Sequence, residues 1–389
     1  MMAMRRNALL LVTISLLSGF AGSAMALVVG VWMLDLTGSP SLAALAGLCV
    51  YAPTLAGPWL GAVVDLLPRR PLLVATNVVL AATLLSLFAV RSAGDAWLLY
   101  LVSFAYGISY VLLDAGESAL LPSALPPDRL GAVNGWRSSA QEGMKLVAPL
   151  AGAGLYAWHG GRPVVALSAL APLIAAALYA MLRLDGAASV DHPGRGLRAG
   201  LAALRREPRP AVLLATVSIA LTGFATAPVY AVVTDDLGLP ATFLGVLMSA
   251  QGAGSIAAGL AAGRLIDRYG PVTVAAAGTL LVAAGLLARC LPWWPALPAG
   301  AAIGGVGLPW TLIAAVTAIQ THTPGHLLGR VSALANTVMF GPIALANPLG
   351  SAAVTLGGRP SLVAAAASGT AAALVAARSA GTAPRTRRR

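Results

Sequence analysis

The chain reads as an all-α membrane protein that crosses the bilayer twelve times, on three observations. Of 389 residues, 58% are apolar and only 10% charged, with a mean hydropathy of +0.83; soluble domains run at about 45–50% apolar and about 25% charged. The apolar residues form long runs parted by short gaps. The gaps differ sharply in basic content, in the manner of inner-membrane proteins. This composition excludes a soluble enzyme, a disordered chain and a disulfide scaffold. Cys49 and Cys290 each lie inside an apolar run and read as small core residues. The net charge of +12 is placed at chain ends and in gaps, which argues against nucleic acid.

Taken in order, the spans fall near 8–34, 41–64, 71–93, 96–117, 131–157 and 163–184, then 210–233, 240–263, 271–291, 295–319, 328–356 and 359–378. Each can satisfy its backbone as a helix, the condition for crossing lipid without a closed barrel. The first follows Arg5 and Arg6 and contains the small-residue run Ala21 to Ala26, features of a secretory signal. Its apolar character continues to Leu34, and a run of about 20 residues spans a bilayer, so a spanning helix is expected. With both termini in the cytoplasm of a cell bounded by this plasma membrane, nineteen of the 25 basic residues lie on the cytoplasmic side. Arg91, Arg162, Arg289 and Arg359 lie outside, and Arg137 and Lys145 lie within a span.

The expected organisation is a six-helix half at 1–184, a cytoplasmic linker at 185–209, a second six-helix half at 210–378 and a basic tail at 379–389. Within the linker, Leu197 to Arg206 alternates Leu and Arg at helical spacing and reads as an amphipathic surface helix. The halves repeat one another. Gly61-Ala-Val-Val-Asp65 corresponds to Gly263-Arg-Leu-Ile-Asp267; Pro126, Leu130, Gly131 and Val133 correspond to Pro324, Leu328, Gly329 and Val331. Six-helix halves in parallel repeat are the layout of one large transporter class.

At these residues the chain resembles the major facilitator superfamily. The family's signature between helices 2 and 3 is Gly, three residues, Asp, then a basic cluster. Here it reads Gly61, Asp65, Arg69 and Arg70, and again Gly263, Asp267 and Arg268. The first copy lacks the Arg directly after Asp, and the second lacks the terminal Arg pair. The resemblance implies two six-helix halves related by a pseudo-two-fold axis around a central cavity, and a gating latch at these residues. Gly would let helices approach closely, and Asp could pair with Arg and a helix N-terminus. Three further stretches resemble drug and metabolite exporters of the enterobactin-exporter and macrolide-efflux type: Trp32 to Pro40, Ala119 to Leu130, and Gly143 to Gly152. The last carries Gly143, Pro149 and Gly152 in a relaxed form of the antiporter signature of helix 5, with Ala148 where the strict pattern has Gly.

Ionisable side chains at membrane depth are costly and face a cavity or a partner. Helix 4 carries Ser103, Tyr106, Tyr110, Asp114 and Glu117 on one face. Helix 5 carries Asn134, Ser138, Gln141 and Lys145 on one face, with Glu142 placed to pair with Lys145, the only lysine in the chain. Helices 4 and 5 are therefore expected to line a polar cavity. Asp114, Glu117 and Glu142 are the candidate proton carriers, and Lys145 and Arg137 are the neighbouring cations; burial and a nearby cation act on a carboxylate in opposite directions. A static salt bridge between the helices is the bland alternative. Thr222, Thr226 and Tyr230 on helix 7 form an uncharged stripe that could line the second half, unless the threonines bond back to their own helix. The second half holds no ionisable group at mid-membrane depth within these boundaries. Trp293 and Trp294 read as interfacial anchors, and His322 and His326 do not make a metal site.

The function expected is secondary active transport, proton-coupled efflux of a small amphiphilic molecule such as a drug, siderophore or secondary metabolite. An importer or an uncoupled facilitator on the same fold is the alternative, since fold alone gives neither direction nor substrate. A polytopic enzyme or sensor is disfavoured, with no nucleophile–base pair, ligand cluster or phosphate loop. No cofactor or metal is expected. The partners expected are substrate, protons and membrane lipid, with no nucleic acid and a monomeric protein.

Overall fold

The computed structural model describes residues 2–184, 209–323 and 325–381, and the described chain is almost wholly helical. The helices are α1 (Met2–Thr37), α2 (Pro40–Tyr51), α3 (Gly57–Leu66), α4 (Arg69–Leu85), α5 (Ala96–Ala124), α6 (Pro127–His159) and α7 (Gly161–Ala180). They continue as α8 (Arg209–Phe224), α9 (Thr226–Ala231), α10 (Leu244–Tyr269), α11 (Pro271–Ala288), α12 (Ala296–His322), α13 (Gly325–Phe340), α14 (Ile343–Ala353) and α15 (Gly358–Gly381). Among the described residues nine helical stretches are long and apolar enough to cross a membrane, and the bent pair α8–α9 makes a tenth. The two remaining expected spans are helical as well. One is the broken run from α2 to α3, and the other is α6, whose first half is polar. The expected linker helix at 197–206 and most of the basic tail lie outside the described residues.

Proline chemistry explains where spans expected to be continuous are broken. Pro53 and Pro58 remove two backbone donors, and a 3₁₀ turn over Ala52–Ala56 separates α2 from α3. Pro228 cannot donate to the carbonyl of Phe224, and the chain bends by 41° between α8 and the helix that follows. Gly38 takes a φ of +64°, and Ser39 caps the next helix by accepting from Leu42 N at 3.3 Å. Gly160, at φ +72°, closes α6 by donating to Tyr156 O at 2.7 Å.

The chain divides into two compact units, Met1–His192 with Leu239–Ser249, and Pro193–Gly238 with Ala250–Arg389. In the first, α1 packs on α6 and α7, α4 on α5 and α7, and α2 on α5. Its basic end, which carries Arg6 and Arg70, holds an apolar cluster of Leu11, Ile14, Leu73, Leu120, Leu125 and Leu182. Helix ends are tied together around it. Asn7 Nδ2 donates to Ala124 O at 2.9 Å and Arg183 O at 2.8 Å, and Asn7 Oδ1 accepts from Arg183 N. Arg6 donates to Met181 O at 2.8 Å, and Arg70 to Ala180 O. These bonds satisfy carbonyls that a helix C-terminus leaves orphaned. Asn7 is 3% exposed, so Asn7→Leu strands several buried groups at once. A loss of about 2–3 kcal/mol is expected, read as a lower melting temperature of the purified protein.

In the second unit, α11 packs on α12 along glycines, with α8 and α15 also against α11. Ser218 Oγ and Thr279 Oγ1 meet at 3.0 Å in its interior. Ser255 Oγ donates to Gly305 O at 3.0 Å, and Trp310 Nε1 to Ala258 O at 3.2 Å, fastening α10 to α12.

Candidate functional site

Four helices of the first unit meet at one carboxylate. Glu117 on α5 accepts from the guanidinium of Arg137 on α6 and from the hydroxyl of Tyr179 on α7. Arg137 Nε also donates to Ser15 Oγ of α1 at 3.2 Å. The side chains of Glu117 and Arg137 are each only 12% exposed. Two opposite charges removed from water need close pairing and extra hydrogen bonds to be tolerated, and Tyr179 and Ser15 supply them. Helical spacing on α5 brings Asp114 one turn before Glu117 and Tyr110 one turn before that. Both are exposed on the unit's surface. The arrangement is therefore a polar surface on α5 that leads to a sealed ion pair. A proton delivered to Glu117 would cancel the charge that holds Arg137.

The sequence-derived residues distribute as follows. Glu117 and Arg137 are brought together, and Asp114 and Tyr110 sit on the same helix face beside them. Tyr106 turns its hydroxyl onto Gly22 of α1 and is a packing residue as much as a lining one. Ser103 is buried and donates to Leu99 O. Gln141 and Lys145 are exposed on α6. The side chain of Glu142 lies outside the described residues, as do those of Asn134, Ser138 and Asp65.

In the second unit the threonine stripe bonds to itself. Thr222 Oγ1 donates to Ser218 O at 2.9 Å and Thr226 Oγ1 to Thr222 O at 3.3 Å. Their donors are used locally, leaving only acceptor capacity beside the half-buried Tyr230. The expected close helix contacts at Gly61 and Gly263 are corrected. A Cβ at either would meet nothing within 4 Å, nor would one at Gly143. Gly152 does serve close packing, its Cβ position lying 3.2 Å from Ala24 Cβ, and Pro149 is buried within α6. Of the signature charges, Arg70 caps α7. Asp267 is exposed, and Arg268 lies 5.2 Å from the Tyr269 ring centroid. His322 is engaged with Thr321 and Ala318.

Ser15 and Tyr179 were not legible as site residues. Ser15 is one of several small hydroxyl residues in its span, with Thr13, Ser18 and Ser23, and Tyr179 lies in a span whose one other hydroxyl is Ser168, so nothing in the sequence singles either out. The available signal was weak: a tyrosine in a span carries a hydroxyl that seeks a partner when buried.

A helical bundle of this kind, built from helices long and apolar enough to cross a bilayer, belongs to the class of polytopic membrane proteins. The sequence pattern of the Major Facilitator Superfamily matches residues 9–218 and again 212–389. The chain belongs to that superfamily and is a multi-pass membrane transporter. It is 26% identical over 184 residues to a protein named macrolide efflux protein A of Streptococcus pyogenes, a match covering 45% of each chain. It is 37% identical over 97 residues to a multidrug resistance protein B homolog of Mycobacterium tuberculosis, covering 23% of this chain and 18% of that one. The matches thus span less than half the length of these relatives. Among solved structures, a bacterial homologue of the iron transporter ferroportin aligns with a TM-score of 0.68 at 18% identity, covering 95% of this chain and 98% of that one. A bacterial homolog of the human lysosomal transporter Spinster aligns with a TM-score of 0.71 at 15% identity, covering 97% of both. These two establish the fold alone.

Proposed function

We propose that the protein exports small amphiphilic molecules by alternating access, driven by protons, from a plasma membrane in which both termini face the cytoplasm. The observation that carries this reading is the sealed Glu117–Arg137 pair with Tyr179 and Ser15. A carboxylate that accepts from two helices while it sits on a third couples its protonation to the packing of all three. When ionised, Glu117 fixes Arg137 and Tyr179. When protonated, it loses the charge-assisted part of both bonds, and Arg137, still bonded to Ser15, is left without that counter-charge and can be drawn toward Asp114. The exposed Tyr110 and Asp114 on α5 and Gln141 and Lys145 on α6 are assigned to the substrate as polar contacts, and Thr222, Thr226 and Tyr230 as uncharged ones. The names of the macrolide-efflux and multidrug-resistance relatives support export and an amphiphilic substrate. The signature residues Gly61, Asp65, Arg69, Arg70, Gly263, Asp267 and Arg268 are assigned to gating, with Arg70 acting through the α7 terminus that it caps.

The test uses purified protein in liposomes with an imposed pH gradient. Interior pH is followed while erythromycin, a macrolide, is added. The wild type is expected to move protons only when the compound is present, and Glu117→Gln to lose that movement by at least about tenfold, the equivalent of roughly 1.4 kcal/mol. Drug movement that ignores the gradient and survives Glu117→Gln would identify an uncoupled facilitator and make the ion pair purely structural.

A further inference from the structure

On the first unit, α6 and α7 diverge over α1 and leave a groove of about 430 Å³. Its walls include Phe20, Leu150, Leu155, Trp158, Leu167 and Ser168. Sites that hold drug-sized ligands run at about 300–1,000 Å³ and are mostly apolar with a few placed polar groups. The polar side-chain groups here are the Trp158 indole N–H and the Ser168 hydroxyl. Trp158 is 83% exposed near the end of α6 and marks the mouth. Ser168 is 1% exposed, and its Oγ has no hydrogen-bond partner. A serine in a helix ordinarily donates to the carbonyl one turn back, and this one does not. Four residues further on, Pro172 offers no N–H to the Ser168 carbonyl. A buried, unpartnered hydroxyl on a residue that lines the groove therefore coincides with a gap in the helix's own bonding.

We propose that this groove binds a compact, uncharged, largely apolar molecule bearing a hydrogen-bonding oxygen, a hydroxyl or carbonyl, that enters from the membrane. Depth decides against a phospholipid chain. Ser168 lies seven residues into α7, about 10 Å from its start at 1.5 Å per residue. The hydrocarbon half of a bilayer is about 15 Å deep, so a phospholipid anchored at the mouth presents only methylenes to Ser168. Its ester oxygens remain near Trp158. An oxygen that reaches the hydroxyl must be carried within a small apolar body. The exposed side chains around the opening, Leu150, Trp158 and Leu167, are apolar or amphipathic, which suits entry from lipid. The assignment is independent of the transport reading and of the Glu117 cluster.

Gly154 makes the groove testable without disturbing the fold, because it lines the space and a Cβ there would meet nothing within 4 Å. The experiment places the full chain in dioleoylphosphatidylcholine nanodiscs, photolabels it with 3-azioctanol and maps adducts by mass spectrometry, with unlabelled octanol as competitor. Saturable adducts confined to α1, α6 and α7 at the groove are expected. Ser168→Ala should raise the half-labelling concentration about fivefold, the effect of one neutral hydrogen bond. Gly154→Leu and, separately, Leu167→Trp should abolish saturable labelling at an unchanged melting temperature, so that either variant suffices if the other fails to fold. Labelling that does not saturate, or that is indifferent to all three substitutions, overturns the proposal. So does a phospholipid that is retained in the groove through purification and is not displaced by octanol.

Discussion

Arg137→Met is expected to lower the stability of the first unit by about 3–5 kcal/mol, because it leaves the Glu117 carboxylate buried without its cation. The side chains are too enclosed for water to replace the lost partner, and the Tyr179 hydroxyl alone does not neutralise a charge. For a unit of this size the loss corresponds to a fall in melting temperature on the order of 10 °C. The double variant Glu117→Gln/Arg137→Met removes both charges, and methionine occupies much the same volume as the arginine stem. It should recover more than half of the loss, giving a coupling energy of about 2 kcal/mol or more. Thermal unfolding of the four proteins of this cycle in one detergent measures it. If Arg137→Met melts with the wild type, the pair carries no net interaction and the account of the site fails. Stability and transport should also separate: the double variant is expected to be well folded and unable to couple proton movement to substrate.

Much of the fold was legible because membrane segments are written in composition. Runs of apolar residues bounded by Arg69–Arg70, Arg91 or Arg289 locate helices with little help from packing. Breaks inside a span were less visible. Pro53 and Pro228 both signal a missing donor, yet other prolines such as Pro149 and Pro172 stay inside continuous helices. Whether a proline bends its helix depends on what neighbours can do for the freed carbonyl, and that is tertiary information. At the site, spacing on α5 put Asp114 and Glu117 on one face, and the structure keeps them there. Spacing could not say that Arg137 faces Glu117 across two helices or that Tyr179 closes the far side. The periodicity of one helix orders residues within it and is silent on the rotation of its neighbour. The same limit explains the glycines. Gly61 and Gly263 stand in a recognisable motif and face open space, whereas the glycines that bring α11 and α12 together, Gly278, Gly285, Gly300 and Gly307, belong to none of the motifs read from the sequence.

Gly285→Leu is expected to prevent the second unit from folding. Along α11 and α12 the glycines are reciprocal. A Cβ at Gly285 would lie 2.5 Å from Gly300 O, one at Gly300 2.5 Å from Gly285 O, and one at Gly278 2.6 Å from Gly307 O. The obstructing atoms are backbone carbonyls, which cannot rotate aside as a side chain would. Helix association in lipid depends on close packing, with no hydrophobic drive between helices to compensate for a gap. Even Gly285→Ala should cost roughly 3 kcal/mol, at or beyond the usual range for overpacking, well above the gain of up to about 1 kcal/mol from alanine's better helix propensity. At Gly263 the same substitution meets nothing within 4 Å, so only the propensity remains and Gly263→Ala should melt at or slightly above the wild-type temperature. Yield on size-exclusion chromatography and melting temperature give the comparison directly. A Gly285→Leu protein that is monodisperse and melts normally would show that α11 and α12 do not need this approach. A Gly263→Ala protein that is stable and transports poorly would place the need for that glycine in another step of the transport cycle, where the helix ends carrying Asp267 and Arg268 come into contact with something they do not touch here.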